Sequence, residues 1–182
     1  MTDPEAAGDH EASTSEGTYR GLVGAFPYAF RASDSLIFRS YAVVGGLLAL
    51  GATFLFAASV VTLLADTFRT AGGTFTFSRT FVVVVALAVV APLVAPVLFV
   101  ARAHRRGRAS PIHDRAVAVG GYLFLFSLYL GLVISAPPAL RDDPSGPLAP
   151  VIAALYGLPR LAGLVPPLLA AGAIYLLHRG YR

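Results

Sequence analysis

Long apolar stretches without a single charged residue dominate the pattern of hydrophobic and polar positions along the chain. The first covers residues 41–65, the second residues 81–101 and the third residues 116–136. At a rise of ~1.5 Å per residue, a helix of the shortest of these lengths already reaches ~30 Å, the thickness of the hydrocarbon core of a bilayer. Each stretch therefore predicts one transmembrane helix.

A fourth apolar region is interrupted. Residues 148–158 are apolar but short, and Pro159 and Arg160 separate them from a second apolar piece at residues 161–177. We predict the fourth span at residues 161–177, with residues 148–158 as a short interfacial or re-entrant helix before it. The alternative is one long, bent element with Arg160 in the lipid. It is disfavoured because a charge at mid-span costs at least ~2.5–3.5 kcal/mol.

Local signals refine these elements. Asp34 is predicted to cap the helix that leads into the first span. Pro92 and Pro96 lie four residues apart in the second span and predict a bend. The TFTFS sequence of residues 74–78 alternates like a β-strand, so a small hairpin and an irregular loop both remain open for residues 66–80.

The composition favours a lipid environment. Apolar residues make up 56% of the chain and charged residues 13%, against roughly 45–50% and about 25% in soluble domains. Cysteine is absent, which excludes disulfides, thiolate catalysis and cysteine-based metal sites. The predicted fold class is all-α: a polytopic membrane protein built as a bundle of four transmembrane helices.

The chain divides into three regions. Residues 1–18 contain five acidic residues and no basic one, and they predict a disordered acidic tail. Residues 19–40 mix aromatic residues with arginine and predict an interfacial juxtamembrane segment. Residues 41–182 form the predicted transmembrane domain. The first apolar stretch begins late, behind an acidic leader, so we interpret it as a retained signal anchor rather than a cleaved signal peptide.

The arginines predict the orientation in the membrane. Four spans put the N-terminus, the loop of residues 102–115 and the C-terminus on one side. That side carries ten of the 14 arginines: Arg20, Arg31, Arg39, Arg102, Arg105, Arg106, Arg108, Arg115, Arg179 and Arg182. The other side carries Arg69, Arg79, Arg141 and Arg160. Because short arginine-rich loops stay in the cytoplasm, both termini are predicted to be cytoplasmic in a multi-pass protein of the cell membrane.

Within that loop, five arginines are assigned to topology and to contact with lipid headgroups: Arg102, Arg105, Arg106, Arg108 and Arg115. Clustered arginine also attracts nucleic-acid phosphate. The loop has no aromatic residue for base stacking, and no nucleic-acid-binding module surrounds it. We therefore expect the bilayer, and no nucleic acid, to be its partner.

None of the four histidines lies inside a predicted span. His104, His113 and His178 are expected near the same membrane face, where a three-histidine metal site is conceivable. The surrounding arginines would repel a cation, so we interpret these side chains as solvated interfacial histidines. No metal, other cofactor or catalytic residue is expected.

Small residues recur at the spacing of helix contacts. In the first span these positions are Gly45, Ala49 and Thr53, and in the third they are Ser127, Gly131 and Ser135.

Ionisable residues are absent from the predicted span interiors, which weakens a role in ion-coupled transport. No motif of a hydrolase, nucleotide-binding protein or metalloprotease occurs. The sequence favours a non-enzymatic accessory or scaffolding subunit that packs against a membrane protein partner or a second copy. The alternative is a permease or channel component for a small or weakly polar solute.

The acidic leader, the segment FPYAFRASDSLIFRS and the arginine-rich central loop together resemble the small four-span haloarchaeal membrane proteins of unknown function. The resemblance covers roughly residues 20–180. It implies a four-span membrane fold, and it implies no activity and no site residue.

Overall fold

The computed structural model describes residues 21–67, 75–108 and 110–181, and every regular element in these ranges is helical. The helices are α1 (Gly21–Ala32), α2 (Leu36–Thr67), α3 (Phe75–Arg105), α4 (Pro111–Ser135), α5 (Ala149–Tyr156) and α6 (Val165–Gly180). Two short 3₁₀ helices, Pro138–Leu140 and Arg160–Leu164, lie between α4 and α6. The predictions for residues 1–18 and for residues 68–74 fall outside the described residues.

Four helical segments are long and apolar enough to cross a membrane. They are Leu36–Ala65 in α2, Thr80–Arg105 in α3, Pro111–Ser135 in α4, and Arg160–Gly180, which joins the second 3₁₀ helix to α6. The prediction of an all-α fold with four helices of this kind is confirmed. The helices extend beyond the uncharged stretches, α2 and α3 at both ends, so that several ionisable side chains belong to them.

The start of α2 differs from the prediction. Its first helical residue is Leu36, so the N-cap position falls on Ser35. The backbone N–H of Phe38 donates to Ser35 Oγ at 3.3 Å, which is the bond that a capping side chain makes to the third helical residue. Asp34 is exposed one position earlier. The assignment of Asp34 as the cap is therefore wrong by one residue.

The alternating segment before the second span is helical. α3 begins at Phe75 and continues without a break into the apolar stretch, so a β-hairpin that includes residues 75–78 is wrong. Alternation over only a few residues is a weak signal beside the long helix that follows it. Pro92 and Pro96 both lie inside α3. Beside them, Tyr41 Oη of α2 donates to the Leu93 carbonyl oxygen at 2.7 Å.

The fourth apolar region consists of two separate elements. α5 ends at Tyr156, and residues 157–159 connect it to the 3₁₀ helix that leads into α6. Arg141 holds the end of α5 in place, because its Nε donates to the Ala136 carbonyl oxygen at 3.0 Å and its Nη1 to that of Tyr156 at 2.9 Å. Arg160 itself is exposed.

The first of two core clusters lies where α1 packs against α3. Ala25 and Ala29 of α1 are completely buried against Val97 and Ala101 of α3, with Tyr41 of α2 in the same cluster. α1 is therefore docked on the bundle along α3.

Two of the predicted packing residues of α4 meet the chain before α6. A Cβ atom on Gly131 would lie 2.5 Å from the carbonyl oxygen of Gly163, so only glycine permits this approach. Ser135 Oγ donates to the Arg160 carbonyl oxygen at 3.0 Å. Ser127 is buried, but its hydroxyl donates to the Phe124 carbonyl oxygen of its own helix at 2.7 Å.

The predicted packing residues of α2 are placed less uniformly. Gly45 is buried beneath the ring of Tyr41, which would lie 2.9 Å from an added Cβ atom. Ala49 is buried in a second core cluster with Leu93 and other residues of α3, α4 and α6. Thr53 is exposed, and its hydroxyl donates to the Ala49 carbonyl oxygen of the same helix at 2.7 Å.

A glycine-to-alanine pair tests the close contact between α4 and the segment before α6. Gly131→Ala is expected to lower the free energy of unfolding by about 1–3 kcal/mol, because the added methyl group overpacks a site against backbone. Gly172→Ala on α6 is the matched control, since nothing lies within 4 Å of its added Cβ. Thermal unfolding in detergent measures both variants, and equal unfolding temperatures would contradict the contact.

Candidate functional site at the arginine-rich end

One end of the bundle collects most of the ionisable side chains. This arginine-rich end consists of the turn of residues 33–35 between α1 and α2, the C-terminal ends of α3 and α6, and the N-terminal end of α4. The five arginines assigned to topology and lipid headgroups, Arg102, Arg105, Arg106, Arg108 and Arg115, are all exposed here.

Asp114 is the buried charge at this end. It lies in the first turn of α4 and is only 1% exposed. Ser33 Oγ donates to its Oδ2 at 2.6 Å, and His104 Nε2 lies 2.9 Å from the same oxygen. His113 Nδ1 lies 3.4 Å from Oδ1. A buried carboxylate is tolerated only when donors surround it, and these donors come from three segments of the chain.

The turn of residues 33–35 is shaped around this carboxylate. While the Ser33 hydroxyl donates to Asp114, its oxygen accepts the backbone N–H of Ser35 at 3.3 Å. The Ser33 carbonyl oxygen accepts from Arg39 Nε at 2.8 Å. Ser33 and Ser35 are both fully buried. The turn therefore satisfies its own polar groups while it positions the donor.

A second histidine continues the network from α4 to α6. His113 Nε2 lies 3.1 Å from His178 Nδ1, and both side chains are buried. The ring of Phe99 stacks on the His178 ring with centroids 4.0 Å apart and planes 11° from parallel. Asp114, His113 and His178 thus form a chain of hydrogen-bonding atoms that runs from the α1–α2 turn to the last turn of α6.

The proton count along this chain is constrained. When His113 donates through Nδ1 to the carboxylate, its neutral form has an accepting Nε2, and His178 must then donate through Nδ1. When His113 is protonated on both nitrogens, its Nε2 donates and His178 Nδ1 accepts. Both hydrogen-bonding arrangements of His113 and His178 use the same heavy-atom positions.

A cavity of about 20 Å³ lies beside the two buried histidines, which is room for about one water molecule. Its lining consists of Arg102, Ala103, Arg106, Arg108, His113, His178 and Tyr181. Because the three arginines are exposed, the cavity opens at the protein surface.

The described part of the chain contains no group of three histidine, aspartate or glutamate side chains arranged to hold a metal ion. The three-histidine site that the sequence made conceivable is not assembled, since His113 points one nitrogen at Asp114 and the other at His178. His104 instead contacts Asp114.

The interpretation of the histidines as solvated is wrong for two of them. His113 is 2% exposed and His178 is 6% exposed, while His104 is partly buried. His10 lies outside the described residues. The third helix begins before its apolar stretch: α4 starts at Pro111, with Ser110 at the N-cap position. Serine followed by proline is a common helix start, and this signal would have brought His113 into the helix.

Comparison with known proteins gives a family and no activity. The family described as "Domain of unknown function (DUF8056)" matches residues 1–182, so the chain belongs to this family. No curated protein and no solved structure matches the chain.

Removal of the buried charge tests the network. Asp114→Asn is expected to lower the free energy of unfolding by roughly 1.5–3 kcal/mol, the value of hydrogen bonds to a charged group. Asp34→Asn is the matched control, because Asp34 is exposed. Unfolding in detergent measures both variants. In a double-mutant cycle, Ser33→Ala should cost much less in an Asp114→Ala background, which removes both acceptor oxygens, than in the wild-type chain, and simple additivity would contradict the assigned bond.

Proposed function

We propose that this family member is an integral protein of the cell membrane with both termini in the cytoplasm. Four candidate spans support it, together with two contacts at one end of the bundle: Ser33 before α2 bonds to Asp114 of α4, and His113 of α4 lies against His178 of α6. An even number of crossings places these helix ends on the same side of the membrane. The exposed arginines around Asp114 support the orientation, since arginine-rich segments stay on the cytoplasmic side. The resemblance to haloarchaeal proteins stays a prediction.

The cysteine-free chain allows a direct test of this topology. Single cysteines introduced as Ser15→Cys, Ser145→Cys and Tyr181→Cys probe the tail, the segment before α5 and the residue after α6. A membrane-impermeant maleimide added to intact cells is expected to label only the variant at position 145. The other two variants should react only after lysis. Labelling of position 15 or position 181 in intact cells would contradict the orientation.

Within the membrane, we propose that the protein is a non-enzymatic accessory or scaffolding subunit that packs against a partner helix through α2. The observation that carries this proposal is the bare surface of α2: 6% of the residues in its most apolar window are buried, against 44% in α4. Lipid alone can cover apolar side chains, so the area exposed on α2 is weak evidence for a partner helix. The kind of residue exposed there is the stronger evidence.

The exposed surface of α2 contains residues that suit a helix contact. Gly51, Ala57, Ala58 and Ser59 are all exposed, and nothing lies within 4 Å of a Cβ built on Gly51. Gly131 of α4, by contrast, is in tight contact with Gly163. Because helix interfaces in membranes are enriched in small residues, the unused small residues of α2 favour a partner helix on this surface.

The alternative function as a permease or channel component has less support. Such a site needs hydroxyl groups that are available to a solute at mid-span. The hydroxyls of Thr53 and Ser127 donate to carbonyl oxygens of their own helices, and Tyr129 lies on the outer surface. An enzymatic role also has little support, because the cavity beside the histidines has room for about one water molecule.

Site-specific photocrosslinking in native membranes tests the scaffolding role. A photoreactive residue at Ala58 is expected to give a discrete protein adduct, and one at Phe126, which is exposed in the corresponding half of α4, is expected to give mainly lipid adducts. An adduct of twice the chain mass identifies a second copy, and any other discrete mass identifies a different membrane protein. Equal adduct yields at the two positions would contradict a specific α2 interface.

A further inference from the structure

We propose that the cavity at the arginine-rich end is a binding site for one phosphate group. The ligand is the headgroup phosphate of an anionic lipid or a free phosphate ion, which share the same recognition chemistry. The lipid source rests on the proposed membrane location, whereas binding of the free ion does not. The general attraction of arginine to headgroups predicts many interchangeable contacts. A phosphate group bound in the cavity is instead one contact at one defined site.

The charge around the cavity is unbalanced in favour of an anion. Arg102, Arg106 and Arg108 all line it, and among the described residues none forms an ion pair with them. The guanidinium group presents paired N–H donors in a plane, which match two oxygens of a phosphate group. Three such groups around one opening give more donors than a single phosphate can use.

Asp114, the buried carboxylate at this end among the described residues, does not supply the missing negative charge. Asp114 does not line the cavity, and its oxygens already accept from Ser33, His104 and His113. His113 lies between the carboxylate and the cavity, because it contacts Asp114 through Nδ1 and lines the cavity with His178. The buried network therefore leaves the arginines without an internal counter-charge.

The shape of the cavity suits part of a phosphate group. Its volume of about 20 Å³ accepts one water-sized atom group, such as a single phosphate oxygen directed towards His113 and His178. The remaining oxygens would stay at the opening, within reach of the exposed guanidinium groups. Tyr181 also lines the cavity, and its side chain carries a hydroxyl group that is able to donate.

Two double variants of equal charge test this site in the full-length chain. Arg102→Ala/Arg106→Ala removes two lining arginines. Arg31→Ala/Arg179→Ala removes two exposed arginines at the same end that do not line the cavity. If the cavity binds phosphate, the first pair lowers the affinity at least about tenfold, as expected for the loss of charge-assisted hydrogen bonds. The second pair lowers it by less than about threefold.

Two measurements separate the sources of the phosphate group. In the first, inorganic phosphate is titrated into protein purified in uncharged detergent, and binding is followed by calorimetry. In the second, native mass spectrometry counts the phosphatidate, phosphatidylglycerol and phosphatidylcholine molecules retained by the protein. Retention of one anionic lipid that depends on Arg102 and Arg106 identifies a lipid headgroup. Saturable binding of the free ion without lipid retention identifies a soluble phosphate.

Two results would overturn the proposal. The first is an equal loss of affinity in the two double variants, which would show only a diffuse positive field. The second is no saturable binding of either phosphate source. Arg102→Lys/Arg106→Lys should retain part of the affinity, since it keeps the charge and loses the paired donors. Because the calorimetric measurement does not depend on membrane orientation, its failure is distinguishable from a failure of the topology test.

Discussion

The need to satisfy one buried carboxylate constrains how the helices meet at the arginine-rich end. Asp114 is almost inaccessible to solvent, so each of its oxygens must find donors within the protein. Those donors are Ser33 from the α1–α2 turn, His104 from the last turn of α3 and His113 from α4 itself. A shift of any of these segments would leave a donor or the carboxylate unpaired at a cost of several kcal/mol.

At the opposite end of the bundle, close packing of small residues brings the helices together. There α4 approaches the segment before α6 through Gly131 and Gly163, where backbone meets backbone without intervening side chains. Such contacts gain dispersion energy and do not depend on the charge of any group. A polar network fixes the register at one end and small residues allow close packing at the other. α2 contributes to both cores through Tyr41 and Ala49, and most of its remaining surface faces outward.

The buried network also determines what the surface of the arginine-rich end can bind. Because Asp114 and Ser33 hold one side of His113, the other side of the ring is directed towards His178 and the cavity. Among the described residues, Asp114 is satisfied inside the protein, and the arginines at the end of α3 and in the loop before α4 line the opening. The Asp114 carboxylate bonds to Ser33, His104 and His113, so it does not pair with the surrounding arginines. An anion-binding surface can thus arise from the structural requirement to satisfy a buried carboxylate.

The sequence by itself determined the four apolar helices, because uncharged stretches of this length have few alternatives to a helix that crosses a bilayer. It also located the break around Pro159 and the small residues Gly131 and Ser135, which carry local signals. It did not reveal the pairing of Ser33 with Asp114 or of His113 with His178, since these partners are separated by 81 and 65 positions in the chain. Histidines beside an arginine-rich loop are compatible with full solvation, and only the packing of α1, α3, α4 and α6 decided that two of them are buried. Hydropathy acts locally along the chain, whereas the partners of a buried polar group depend on which helix ends the fold brings together.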